Sequence, residues 1–384
     1  MSVAEGPAVT TASVSVDELD RLLREKNEIA VLDVREVFPY GVGHIRLAVS
    51  LPLSQLELRV DALVPRRTVR MVVYDGDGRW LSDRAAARLE QLGYENVAVL
   101  HGGFEAWRLA GKAVVGRTNG ITDPPEGPSG IAFRTIDNCV LQQFRREANE
   151  RTLYVLDVRT APEFEAGHLA GSVSAGGDRI VQAPGVFVGV RGARIVLVDE
   201  PDAARATVTA ARLVQMGIDD VYVYPGVGGD APLVGGAAPI AVLGLPEDVE
   251  SIDPQTLHDL LAQGSVVVLD LAPSPTFRRA HIPGAWFAIR SRLLHNVGSL
   301  HGSGPIVLTS ADGTLARFAA GDLVGATNRP VLVVEGGTAA WVESGYPTED
   351  GLINLSDRPD DVDAPGMATE PPVAATPEDD RADG

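Results

Sequence analysis

The sequence predicts an α/β protein built as three tandem α/β/α domains, each with a parallel central sheet, plus a disordered acidic C-terminal tail. Three features carry this expectation. Short β-branched apolar runs alternate with helix-patterned segments, as in parallel sheets covered on both faces. A fixed Asp-to-His spacing occurs three times along the chain. The chain has 384 residues, too many for one ordinary core.

Each unit opens with an apolar strand ending in aspartate: "AVLDVREVFPYGVGHI", "YVLDVRTAPEFEAGHL" and "VVLDLAPSPTFRRAHI", starting at residues 30, 154 and 267. The aspartates are Asp33, Asp157 and Asp270, and a histidine follows eleven positions later in each: His44, His168 and His281. A second strand follows, "MVVYD", "IVLVD" or "IVLTS", ending at Asp75, Asp199 and Ser310, which lie 42, 42 and 40 residues beyond the first aspartates. Small-residue helices come next. In the first, Ser82 is the expected N-cap and Gly93 the residue that ends it. The strands "VAVLHGG", "VYVYPG" and "VLVVEGG" complete the units, and Trp107 and Trp341 close the first and third. These limits give domains near 15–116, 132–230 and 248–350, Gly- and Pro-rich linkers at 117–131 and 231–247, and the tail at 351–384. Leu213 and Met216, at helical spacing, are expected in the core of the second unit.

A net charge of −19 argues against nucleic acid or an anionic membrane as partner. Part of that charge is local: residues 356–384 hold nine acidic and two basic side chains with few large apolar ones. The single cysteine, Cys139, excludes an intrachain disulfide and any cysteine metal cluster. The N-terminus lacks the basic and apolar regions of a signal peptide, and the apolar stretch 231–246 is too short and broken to span a bilayer. A cytoplasmic location is the expectation.

The pattern "VLDVRE…GHI", followed by "VVY", a loop, a helix, "LGY" and "GGF..W", resembles the rhodanese domain, repeated three times over nearly all of the chain outside its termini. The chain also resembles longer bacterial proteins with several such repeats, in which one repeat carries a cysteine and its neighbours carry Asp or Ser. The resemblance implies sulfurtransferase chemistry: a loop cysteine takes sulfur from a donor such as thiosulfate as a persulfide and passes it to a thiophilic acceptor. A protein partner in sulfur transfer, such as a sulfur carrier, a cysteine enzyme or an active rhodanese, is the expectation if the chain is a binding module. The matching positions here are Asp75, Asp199 and Ser310, and none is cysteine. The three units match the cysteine-free neighbours.

Persulfide chemistry needs a soft thiolate, which a helix N-terminus favours by lowering the thiol pKa. Carboxylate oxygen cannot hold a transferable sulfane sulfur, and a serine without an adjacent base stays a weak nucleophile. Asp75 also places charge at the start of the glycine-rich loop Gly76, Asp77, Gly78, Arg79, the candidate binding loop. A strand, loop and helix N-terminus form a natural anion cradle. The sequence therefore suggests that the Asp75 carboxylate is the cradle's own anion, held by N–H groups between residues 77 and 82, with Arg79 or Arg84 adding contacts. A solvated loop aspartate is the alternative.

The other repeated residues have structural readings. Asp33 with Arg35, and Asp157 with Arg159, suit ion pairs at the sheet's edge, whereas unit three has Ala272 at the Arg position. One His and one Asp per domain falls short of a zinc site, and "DGDG" lacks the acids of a calcium loop. No metal and no cofactor is expected. Cys139 falls near the start of a helix capped by Asp137, on a different element from the loops. Two functions remain open: a catalytically silent module that binds or regulates a partner in sulfur metabolism, or an active thiosulfate sulfurtransferase using Cys139 or a partner-supplied cysteine.

Overall fold

The three aspartate-ending runs become central strands, and they lie in three separate sheets. The computed structural model describes residues 11–116, 133–227, 232–237, 241–300, 302 and 304–362. The strands of domain 1 are β1 (Ala12–Val14), β2 (Ile29–Asp33), β3 (His44–Ile45), β4 (Val49–Ser50), β5 (Arg70–Tyr74), β6 (Val97–Leu100) and β7 (Val114–Val115). Its helices are α1 (Val16–Arg24), α2 (Val37–Val42), α3 (Leu56–Leu63), α4 (Trp80–Gln91) and α5 (Gly103–Leu109). Domain 2 repeats this with β8 (Arg134–Thr135), β9 (Leu153–Asp157), β10 (His168–Leu169), β11 (Val173–Ser174), β12 (Arg194–Val198), β13 (Val221–Tyr224) and β14 (Leu233–Val234). Its helices are α6 (Asn138–Arg146), α7 (Ala161–Ala166), α8 (Gly177–Gln182) and α9 (Ala204–Gln215). Domain 3 has β15 (Ser251–Ile252), β16 (Val267–Asp270), β17 (Trp286–Phe287), β18 (Ile306–Thr309) and β19 (Val331–Val334). Around them pack α10 (Pro254–Ala262), α11 (Ser274–Arg279), α12 (Leu293–Asn296), α13 (Thr314–Leu323) and α14 (Gly337–Glu343).

All three sheets share one strand order: β1-β6-β5-β2-β4, β8-β13-β12-β9-β11 and β15-β19-β18-β16-β17, with every pair parallel. Every residue of β2 is buried, the reason its sequence runs apolar without alternation. The first helix of each domain is capped: Ser15, Asp137 and Asp253 accept from the amides of Glu18, Val140 and Thr256. No helix among the described residues is long and apolar enough to cross a membrane.

Several expected boundaries move. Domain 1 starts earlier than residue 15, because β1 is its edge strand. The second linker is not free: β14 pairs antiparallel with β10, as β7 does with β3, and so completes domain 2. Farther along, Leu243 donates to the Glu57 carbonyl of domain 1, and Arg317 of domain 3 grips the Pro246 carbonyl at 2.6 Å. The tail begins later than residue 351. Asp357 accepts from the Ile289 amide at 2.8 Å, Asp361 from the Ser274 amide at 2.7 Å, and Asp360 pairs with Arg292 at 2.6 Å. These acids serve specific donors, which composition alone does not reveal. The rest of the expected tail and the linker 117–131 lie outside the described residues.

Domains 1 and 2 meet through apolar packing. One contiguous core runs from Ala30, Leu32, Val73 and Leu89 into Tyr154, Leu156, Ile195 and Leu213. Burying side chains of this kind contributes about 1.5–3 kcal/mol each. Tyr154 crosses the junction, its hydroxyl donating to the Leu63 carbonyl. Leu213 belongs to this core as expected, but Met216 does not: it caps α9 beyond its last turn and is exposed. Domains 1 and 3 instead meet through charge. Arg290 pairs with Glu57 at 2.6 Å and with Asp322 at 2.8 Å, Arg84 donates to the Ser291 carbonyl, and the Ser291 hydroxyl donates to Glu36.

Candidate functional site: three cysteine-free loops

Asp75, Asp199 and Ser310 each follow the C-terminal end of a central strand (β5, β12, β18) and precede a helix (α4, α9, α13). Parallel α/β sheets place ligands at such ends. All three side chains are buried.

The Asp75 carboxylate turns inward. It accepts hydrogen bonds from the amides of Gly78, Leu81 (3.0 Å) and Ser82 (3.0 Å). These N–H groups belong to the loop and the first turn of α4, where no intrahelical acceptor exists. Asp75 thus does at a distance what a local N-cap would do, so α4 begins at Trp80 instead of after Ser82. Ser82 is a buried residue of the first turn whose hydroxyl has no hydrogen-bond partner. Gly93, at φ +86°, ends the helix as its type predicts.

Of the expected binding loop, Gly78 has its N–H committed to Asp75, leaving it unavailable to an incoming anion. Gly78 is also required sterically: φ is +71°, and a Cβ there would lie 2.5 Å from the Gly103 nitrogen. Asp77 and Arg79 are exposed and 4.0 Å apart. Neither Arg79 nor Arg84 reaches Asp75. The three amides already satisfy the carboxylate, and Arg84 lies over the Trp80 ring of its own helix and reaches domain 3 at the Ser291 carbonyl. The charge is felt at the loop's mouth. Burial, and after it the Asp75 carboxylate, pushes the Asp83 carboxyl above its usual range.

Domain 2 solves the same problem differently. Asp199 accepts from the amides of Glu200 (2.9 Å) and Ala206 (3.0 Å), and from the Arg205 guanidinium at 3.0 Å. Arg205 also holds Glu163 at 2.8 Å. Arg205 was not singled out from the sequence; its position six residues after the loop aspartate was the available signal. In domain 3 the Ser310 hydroxyl accepts from the Ala316 amide at 3.3 Å, and no base hydrogen-bonds to it among the described residues. The Ser310 carbonyl takes the Thr338 amide at 2.9 Å, as the Asp75 carbonyl takes the Phe104 amide at 2.8 Å.

The repeated Asp and His hold the framework behind the loops. Arg35 clasps Asp33 and donates to the Gly43 carbonyl at 2.7 Å; Arg159 does the same with Asp157 and Gly167. In domain 3, where Ala272 replaces the arginine, Asp270 accepts from the Ala272 amide and the Thr338 hydroxyl. Thr338 stands where domain 1 has Phe104, the ring over which Arg35 lies, so the two exchanges compensate each other. Without a guanidinium, burial pushes the Asp270 carboxyl above its usual range. Each histidine stacks on the aromatic four residues earlier (Tyr40, Phe164, Phe277) and directs Nδ1 to that residue's carbonyl. Cys139 is exposed in the first turn of α6. No three His, Cys, Asp or Glu side chains converge to hold a metal among the described residues.

Comparison with known proteins agrees with the threefold repeat. The sequence model of the family described as Rhodanese-like domain matches residues 15–110, 140–226 and 253–344. A thiosulfate sulfurtransferase of Gallus gallus is 30% identical over 119 residues, and an uncharacterised protein of Synechocystis is 32% identical over 97. These matches cover 27% and 25% of this chain but only 39% and 52% of the relatives' own lengths. The crystal structure of a thiosulfate sulfurtransferase from Pseudomonas aeruginosa superposes over 92% of both chains, with a TM-score of 0.84 and 29% identity.

Proposed function

Since the chain belongs to the rhodanese-like domain family, with three repeats matched over more than half its length, we propose that it is a catalytically silent member. In this reading it acts as a binding or regulatory module in sulfur metabolism, recognising a protein that carries or transfers sulfur. One observation carries the reading. In all three loops an oxygen side chain stands where the family's cysteine acts, and it already accepts the amides that would receive an anionic donor. An oxygen acceptor satisfies those amides but forms no persulfide.

The second reading is an active sulfurtransferase. The family's sulfurtransferases, two of which are similar to this chain, lend it support, and so does the exposure of Cys139 in the first turn of α6. Thiosulfate:cyanide transfer at near-neutral pH separates the two. Turnover at background is the expected result. Turnover that disappears in Cys139→Ser would overturn silence and establish the second reading.

A further inference from the structure

A cleft of about 800 Å³ opens between domains 1 and 2, and no residue of the three loops lines it. Its volume falls in the range of small-molecule sites, about 300–1,000 Å³. The walls are largely apolar. Leu47, Val186 and Met216 line it and are exposed despite their size.

Arg59 enters this cleft from α3. Among the described residues its guanidinium makes no hydrogen bond or ion pair, and burial alone, with no acid opposing it, pushes it below the usual arginine range. The fully buried guanidiniums are engaged, Arg290 by Glu57 and Asp322 and Arg159 by Asp157, whereas Arg59 is partly buried and faces the cleft. Partial desolvation of a charge without a counter-ion is unfavourable, so Arg59 presents an unanswered positive charge to a cleft with apolar walls. His44 also lines the cleft; its Nδ1 is committed to the Tyr40 carbonyl, which leaves Nε2 as its remaining polar atom. Lys26 stands exposed at the rim. The acids of the lining do not neutralise Arg59. Asp220 is held by Arg151 at 2.5 Å, Glu25 by Arg21, and Asp219 is exposed.

We propose that this cleft binds a small organic carboxylate with an apolar body. The carboxylate lies on Arg59, whose planar fork matches it with two parallel hydrogen bonds. The apolar body lies against Leu47, Val186 and Met216. Arg191 of the lining donates to the Leu23 carbonyl, which leaves Arg59 as the lining guanidinium with no acceptor among the described residues; one such fork between apolar walls favours a monoanion over a phosphate.

The test uses the full chain, with the fluorescence of 8-anilinonaphthalene-1-sulfonate, itself an apolar anion, as reporter. Octanoate should displace it, and octanol at equal concentration should not. Arg59→Leu should weaken octanoate at least tenfold. Should Arg59→Leu fail to fold by circular dichroism, Val186→Trp decides. That exposed site tolerates the larger ring, which fills the cleft with Arg59 intact, and octanoate displacement should be lost. Equal displacement by octanol, no reporter binding to the wild type, or unchanged octanoate affinity in whichever variant is read would each overturn the proposal.

Discussion

Replacing Asp75 tests the self-capped cradle at the level of single amides. The buried carboxylate accepts three backbone N–H groups, from Gly78, Leu81 and Ser82. Hydrogen bonds to a charged acceptor contribute about 1.5–3 kcal/mol each, and an orphaned buried donor costs about 1–3 kcal/mol. Asp75→Asn keeps one oxygen, which can serve Leu81 and Ser82 on the same side, but its amide then faces the Gly78 N–H, donor against donor. A local cost of about 2 kcal/mol follows, equivalent to roughly 30-fold faster opening. Amide hydrogen exchange at residues 78–82 reads this directly, without requiring that three domains unfold as one unit. Asp75→Gly strips all three donors of their acceptor and leaves a vacant cradle. Sulfate should then protect the same amides. At ten times its dissociation constant it contributes about 1.4 kcal/mol. Sodium chloride at matched ionic strength should not, and the wild type should show neither effect. Unchanged exchange in Asp75→Asn, or equal sulfate responses in wild type and Asp75→Gly, would refute the claim that Asp75 is the cradle's anion.

Two further perturbations probe the junction of domains 1 and 3. Burial raises the Glu36 carboxyl from its ordinary 4.5 to about 7, against the lowering effect of the Ser291 and Ser54 hydroxyls. The folded state therefore keeps a proton that the unfolded chain releases, and stability falls as pH rises from about 4.5 to 7, by on the order of 3 kcal/mol. Glu36→Gln mimics the protonated form, so denaturation midpoints should match the wild type below pH 4.5 and exceed it at pH 8. A wild-type midpoint that rises over this window would contradict the assignment. Arg290→Met leaves Glu57 buried with only Arg88 as partner, at 2.8 Å, and should cost about 3–5 kcal/mol. Limited proteolysis within residues 241–250 should accelerate, because that segment is held by both domains; an unchanged cleavage rate would show that Arg290 does not hold the junction.

The domain repeat was legible because each unit must place an aspartate at a strand end and a histidine one short helix later, and those spacings survive changes elsewhere. The junctions were not. Glu57 and Arg290 are 233 residues apart, and nothing in either sequence neighbourhood announces the pair. The shared core of domains 1 and 2 was hidden for a related reason. An apolar helix face reads the same whether it covers its own sheet or a neighbour's. Ser82 was misread because capping rules look three residues ahead, whereas the acceptor that caps α4 lies six and seven residues back. The segment 351–362 reads as solvated by composition, yet three of its acids have assigned donors.

The three loops separate two demands that a catalytic cysteine meets together. The fold demands an acceptor after the second strand of each unit, because the amides of the following turn have no partner of their own. Asp75 answers with three amide bonds, Asp199 with two amides and a guanidinium, and Ser310 with one. A thiolate would meet that demand too, since it carries negative charge at the same place. Sulfur transfer demands something else, a soft nucleophile with room for an incoming anion beside it. Oxygen satisfies the first demand and fails the second. The same cradle therefore folds around Asp, Asp and Ser with one strand order, and an oxygen side chain at these positions keeps the architecture while offering no soft nucleophile there. Restoring a thiol by Asp75→Cys would return the nucleophile alone. The neighbouring Asp77 and Asp83 carboxylates would still stand at the mouth, and the site would remain poor at admitting thiosulfate.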